Sequence, residues 1–135
     1  MKHTGIHHVS INVRDLERSR AFYRDIIGLK EIDRPQLKTE GAWFEVGSGG
    51  QQLHLILYPG ETLRTGGIDT SDGHFAIRVE SYSETVEWLK SRGVEFVANP
   101  HSATGFPQIY VIDPDRNIIE INAERLDEGL ERTDS

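Results

Sequence analysis

The chain has 135 residues, enough for one domain with its own core or for two small modules fused together. Hydrophobic residues make up 36% and charged residues 27%, which excludes a disordered or fibrous class. A formal charge of −7 argues against a nucleic-acid partner, and the absence of cysteine excludes disulfides, thiolate metal sites and cysteine nucleophiles. Met1–Thr4 leads into the first strand without an apolar signal region, and no run of about 18 apolar residues could span a membrane. The expectation is a cytoplasmic protein with neither a membrane nor a nucleic-acid partner.

From His7 to Leu29 the chain reads as strand, turn, helix and stop. Val9, Ile11 and Val13 alternate with His8, Ser10 and Asn12, the period of a half-buried strand. Asp15 occupies an N-cap position, because its carboxylate can accept a free N–H of the first helical turn. Leu16, Phe22, Tyr23 and Ile26 recur at helical spacing, and Gly28 ends the helix. Leu29–Arg34, Ala42–Val46 and Gln51–Tyr58 read as strands, with a glycine-rich turn at 47–50. In the last strand Leu53, Leu55 and Leu57 share one face; His54 and Ile56 share the other. This is a β-α-β-β-β module over about 5–58.

Residues 59–73 carry four glycines and little periodicity, and form the candidate linker. A second module follows over about 74–123. His74–Val79 repeats the opening pattern, with Phe75, Ile77 and Val79 on the packing face. Ser81 and Glu84 form a capping box for a helix whose apolar side holds Val86, Trp88 and Leu89, and which ends at Gly93. Val94–Ala98, Gln108–Ile112 and Ile118–Asn122 read as strands, with the turn Asp113–Arg116 between the last two. The tail 124–135 is highly charged and is expected to fray or lie on the surface.

An offset of 66 relates the halves: His8 maps to His74, Asp15 to Ser81, Phe22 to Trp88, Trp43 to Ile109, and His54 to Glu120. It slips by one where Gly28 pairs with Gly93. Such a repeat implies an α+β fold of two tandem modules whose curved sheets each need a partner surface and can enclose a shared cavity. His8, His54, His74 and Glu120 all fall on the non-packing faces, at positions that a pseudo-two-fold axis would bring to one point. Imidazole nitrogens and a carboxylate suit one divalent ion of the Ni, Co, Zn, Fe or Mn type. Each histidine alone reads more simply as a core or rim residue. Glu120 between isoleucines is harder to explain, because an unpaired buried carboxylate is costly. His7 falls on packing-face parity and reads as structural. Phe22, Phe75 and Trp88 read as core. His101, in the loop 101–107, is a candidate substrate contact, as are Asn12, Arg78 and Tyr110.

The segments HHVSINVRDLERSRAFYRDIIGL, GHFAIRV and YVIDPDRNIIEIN together resemble the vicinal oxygen chelate superfamily. That group includes glyoxalase I, methylmalonyl-CoA epimerase, extradiol dioxygenases, fosfomycin-resistance thiol transferases and bleomycin-binding proteins. The resemblance covers about residues 5–123. It implies paired β-α-β-β-β modules, a metal in the cavity between them and a homodimer. It assigns His8, His74 and Glu120 as ligands. His54 stands where the glyoxalases have glutamate and the epimerases glutamine, so Glu120 alone is left to move a substrate proton. The dioxygenases use two histidines and one glutamate and leave the position of His54 unused. Arg116 stands where glycine is common. Three functions follow as expectations: a glyoxalase- or epimerase-like lyase or isomerase acting on vicinal oxygens, an Fe(II) or Mn(II) ring-cleaving dioxygenase, and a non-catalytic small-molecule binding or resistance protein.

Overall fold

The structure is a computed structural model that describes residues 1–61 and 64–127. It divides into two compact units, Met1–Thr65 and Gly66–Ser135. No helix among the described residues is long and apolar enough to cross a membrane.

The first unit runs β1 (His8–Val13), α1 (Leu16–Ala21), β2 (Lys30–Ile32), β3 (Gly41–Val46) and β4 (Gln51–Leu57). Its sheet has the order β1-β4-β3-β2, with β1 parallel to β4 and the other pairs antiparallel. The central place of β4 follows from its composition, since Leu53, His54 and Leu55 are all buried. Along β1 burial alternates as the period-two pattern requires, with His8, Ser10 and Asn12 exposed. Asp15 caps α1 by accepting the Arg18 N–H at 3.0 Å. The helix does not run on as one α-helix to Gly28. Phe22–Ile26 forms a π turn, in which the Ile27 N–H reaches back five residues to the Phe22 carbonyl. The chain then leaves through Gly28 at φ +82, with the Leu29 N–H closing on the Tyr23 carbonyl. Tyr23 of this turn and Phe44 of β3 are fully buried, and Phe22 only partly.

The second unit runs β5 (Phe75–Val79), α2 (Tyr82–Ser91), β6 (Phe96–Asn99), β7 (Gln108–Ile112) and β8 (Ile118–Ala123), in the order β5-β8-β7-β6. Strands β2 and β6 are shorter or later than their hydrophobic runs suggest. Ser81 accepts the Glu84 N–H at 3.1 Å, as a cap should. A carboxylate also comes to this helix end from the tail: Asp127 accepts from the Ser81 hydroxyl at 2.6 Å, the Ser83 N–H at 2.9 Å and the Ser83 hydroxyl. The tail as far as Asp127 is therefore tied down; 128–135 lie outside the described residues. Tyr82 and Leu89 are the buried residues of α2. Trp88 is not core. It is 44% exposed, with the Arg92 guanidinium 5.2 Å from its ring centre, because the residue next to buried Leu89 falls on the helix flank.

The register shows how far the repeat is kept. Ser10 lies opposite His54, and Ala76 opposite Glu120, so the offset of 66 holds across the parallel pairs. It does not hold in β3 and β7. Trp43 lies opposite His54 while Tyr110 lies opposite Glu120, so Trp43 corresponds to Tyr110 and not to Ile109. The second hairpin has closed one residue earlier: the Asp113 N–H bonds the Asn117 carbonyl, and Arg116 takes φ +68 where the first turn uses Gly47 and Gly50.

Candidate metal centre

In the first unit the side chains of His8, Trp43 and His54 form a stack of rings. Trp43 and His54 are 4.0 Å apart and inclined by 2°; His8 and His54 are 4.0 Å apart and inclined by 14°. The register forces this, since Trp43 lies directly opposite His54 on β3. His54 is only 6% exposed, and its Nε2–H donates to Gln52 Oε1 at 2.8 Å, which leaves its lone pair on Nδ1. Burial, then the neighbouring His8, His7 and Arg34, lower its pKa to about 4, so it is neutral at pH 7. Imidazole lone pairs lie in the ring plane. Two rings stacked nearly parallel cannot both aim them at one ion, so one ring must turn before His8 and His54 can share a ligand. His7 is exposed and off the packing side. Its Nδ1 stands 2.8 Å from His8 Nδ1, which corrects its reading as structural.

In the second unit His74 lies one residue before β5 rather than within it. Its Nδ1–H donates to the Asp72 carbonyl at 2.7 Å, which leaves Nε2 to face Glu120. That nitrogen stands 3.1 Å from Glu120 Oε1. Glu120 is 6% exposed and is not the unpaired carboxylate its neighbours suggest. Asn122 Nδ2 donates to Oε2 at 2.6 Å and the Tyr110 hydroxyl to Oε1 at 3.2 Å. Burial pushes the Glu120 carboxyl up, but hydrogen bonds from Asn122, His74, Tyr110 and Gln108 outweigh it and hold the group below its ordinary range. Burial and the Glu120 charge raise Tyr110.

The pair His74–Glu120 fits a metal. With Nδ1–H given to the Asp72 carbonyl, Nε2 and Oε1 face each other across a hydrogen bond, and a metal ion between them would take the place of its proton. Ligands about 2.1 Å from an octahedral ion at right angles stand about 3 Å apart, the spacing seen here. The Asp72 carbonyl behind His74 and the donors behind Glu120 are the outer contacts such ligands need. Among the described residues no group of three or more His, Cys, Asp or Glu able to hold an ion is found. Each unit brings one pair.

The remaining candidates fall into different places. Tyr110 serves Glu120, as just described. Arg78 donates from Nε to Asn122 Oδ1 at 2.6 Å, and its guanidinium lies 5.3 Å from the centre of the Phe106 ring, so it braces the residue that braces Glu120. Asn12 and His101 are exposed. Sequence reasoning missed Trp43, Gln52, Gln108 and Asn122. Their signal was strand parity beside a buried polar residue, read across to the neighbouring strand.

Residues 5–121 match the Glyoxalase/Bleomycin resistance protein/Dioxygenase superfamily. The chain is 33% identical over 124 residues to Glyoxylase I 4 of Arabidopsis thaliana, covering 87% of this chain and 70% of that one. It is 27% identical over 136 residues to the fosfomycin resistance protein FosX of Listeria monocytogenes, covering 96% of each. A crystal structure of a single-site variant of that FosX, complexed with Mn(II) and 1S,2S-dihydroxypropylphosphonic acid, superposes with a TM-score of 0.72 at 24% identity, over 97% of this chain and 100% of that one. The structure of a glyoxalase-family protein from Bacillus anthracis superposes at 0.74 with 28% identity, over 91% and 97%. Two β-α-β-β-β units of the same strand order, with a family match across residues 5–121, place the chain in the Glyoxalase/Bleomycin resistance protein/Dioxygenase superfamily.

Proposed function

We propose that this protein is a metal-dependent lyase or isomerase of the glyoxalase and epimerase kind, acting on a small substrate that presents two adjacent oxygens. The observation that supports the reading is the His74–Glu120 pair, an imidazole nitrogen and a carboxylate oxygen 3.1 Å apart, each held from behind by an outer contact. Neither pair by itself fills a coordination sphere, so the reading requires further donors, and a homodimer is part of the proposal. His8, His74 and Glu120 are the donors, and His54 is a fourth that must first leave its stack. When bound, a divalent ion supplies Lewis-acid polarisation of the substrate oxygens. FosX is seen with Mn(II) and a propylphosphonate diol, and the Arabidopsis relative is a glyoxylase I, which supports this substrate class.

Glu120 is the candidate for moving the substrate proton. Four donors stabilise its charged form, so it favours the role of ligand and is a weak base until a donor is withdrawn. The stack of His54 favours a second reading, a ring-cleaving dioxygenase with the three donors His8, His74 and Glu120. The test is metal analysis of the purified protein, followed by two assays of the reconstituted enzyme. One follows solvent deuterium entering the carbon next to the carbonyl of a methylglyoxal–thiol adduct. The other follows oxygen uptake with a catechol. Exchange that is lost in Glu120→Gln supports the first reading; oxygen uptake without exchange supports the second. Ligand binding retained by a metal-free His8→Ala protein overturns both and leaves a binding or resistance protein.

A further inference from the structure

We infer that His7 is a positioning residue, which accepts the Nδ1–H of His8 and so leaves His8 Nε2 bare for a metal. The inference rests on the metal reading above but is carried by a separate observation. The Nδ1 atoms of His7 and His8 are 2.8 Å apart, with the rings edge to face at 87°. Neighbours within a strand point to opposite faces, so the two rings could not meet if both belonged to β1. They meet because β1 begins at His8. The His7 carbonyl still accepts the Gln52 N–H at 3.0 Å, which anchors the backbone and frees the ring to turn back.

A hydrogen bond between two imidazole nitrogens holds one proton, and its owner decides the chemistry. If His7 donates, His8 is protonated on Nε2 and its outward nitrogen has no lone pair. If His8 donates, Nε2 is free. The second unit settles the same question with a group that can only accept: the Asp72 carbonyl, 2.7 Å from His74 Nδ1. His8 and His74 are equivalent in the repeat, and each has its Nδ1 held by the segment just before its strand. His7 does for His8 what a backbone oxygen does for His74. Its exposure fits this role, since nothing in the core depends on its ring.

The test uses the metal-free full chain at about pH 8, where imidazole is neutral, and reads the His8 tautomer from its nitrogen-15 shifts. It then measures the dissociation constant for Co(II). The wild type is expected to show His8 protonated on Nδ1. His7→Leu is expected to lose that tautomer and to weaken Co(II) by about 10–100-fold, the usual cost of removing a ligand's outer partner. His7→Asn, whose amide oxygen can take the place of Nδ1, is expected to restore both to within a few-fold. Thermal unfolding should not change in either variant. A wild-type His8 protonated on Nε2, or undiminished Co(II) affinity in His7→Leu, overturns the inference. If the wild type binds no Co(II), the metal reading fails by itself, and the tautomer arm alone decides whether His7 sets the His8 proton.

Discussion

His54 and Glu120 occupy the same place in the two units, yet one is a neutral ring and the other a buried charge. The difference lies in three neighbours on the same sheet face. Around His54 stand Trp43, Gly41 and Ile56; the register puts Tyr110, Gln108 and Asn122 at the matching positions around Glu120. The first trio offers an aromatic face, a glycine without a side chain and an aliphatic chain. The second offers a hydroxyl and two amides, each of which donates to the carboxylate. A duplicated fold has thus kept its backbone and replaced its solvation. A buried charge is tolerated only where donors replace water, and the two sites differ in that one respect.

The largest effect expected is from forcing a charge into the first unit. His54→Glu restores the glutamate that the glyoxalase resemblance expects, but gives it the Gln52 amide in place of the hydroxyl and two amides that surround Glu120. Unfolding of the chelator-treated protein in urea at pH 7 should show a loss of about 2–4 kcal/mol. Adding Ile56→Asn to it supplies the counterpart of Asn122 and should return more than about 1 kcal/mol. If His54→Glu alone costs nothing, the neighbours do not decide which side chain the position can hold.

The converse change weakens the second unit. Asn122→Ala removes a 2.6 Å donor from Glu120 and releases Arg78 from its acceptor. Hydrogen bonds to charged groups contribute about 1.5–3 kcal/mol, so a loss in that range is expected in the same urea measurement. Ile56→Ala at the matching site removes only aliphatic packing. Equal costs and identical pH profiles for the two variants would show that Asn122 acts by packing too.

These neighbours show what the sequence could and could not reveal. Period-two alternation of residue types in β1, β4 and β8 exposed the faces, so His8, His54 and Glu120 could be grouped from the order of residues alone. The repeat was legible because its glycines and caps recur. What failed was the transfer between strands. The closing hairpin turns one residue earlier than the first, so counting from Trp43 led to Ile109, which is fully buried on the other face. A slip of one in a strand exchanges its faces, and nothing along the chain announces it. His7 and Trp88 were misread for a related reason. Parity and helical spacing hold only inside an element, and each residue lies where that rule stops: His7 before β1, Trp88 beside the buried stripe of α2.

The helix ends give a smaller contrast. α1 is capped by its own Asp15, whereas α2 adds Asp127 from the tail. Hydrogen bonds from Ser81 and Ser83 depress the Asp127 carboxyl below its ordinary range. A depressed carboxyl contributes stability in full above its unfolded pKa of about 3.9, and loses it as pH falls through the folded value. Asp127→Asn should therefore cost about 1 kcal/mol at pH 7, and the gap to wild type should close as pH falls below the unfolded carboxyl value. A gap that persists at low pH would mean that the bonds are independent of charge.

The two hairpin turns give the finest contrast. The first meets its left-handed positions with glycine; the second uses Arg116 at φ +68. A non-glycine residue there costs about 1 kcal/mol. Arg116 offsets this by donating from Nε to the Gly66 carbonyl at 2.6 Å, a bond worth about 1 kcal/mol when partly exposed. Arg116→Gly relieves the strain and loses the bond, so its net effect should be within about 0.5 kcal/mol. Arg116→Ala keeps the strain and loses the bond, and should be the less stable by about 1 kcal/mol. Gly47→Ala in the first turn gains strain with no bond in return and should resemble Arg116→Ala. If the alanine variant at 116 matched the glycine variant, the left-handed conformation would carry no cost there, and the arginine would be explained by its bond alone.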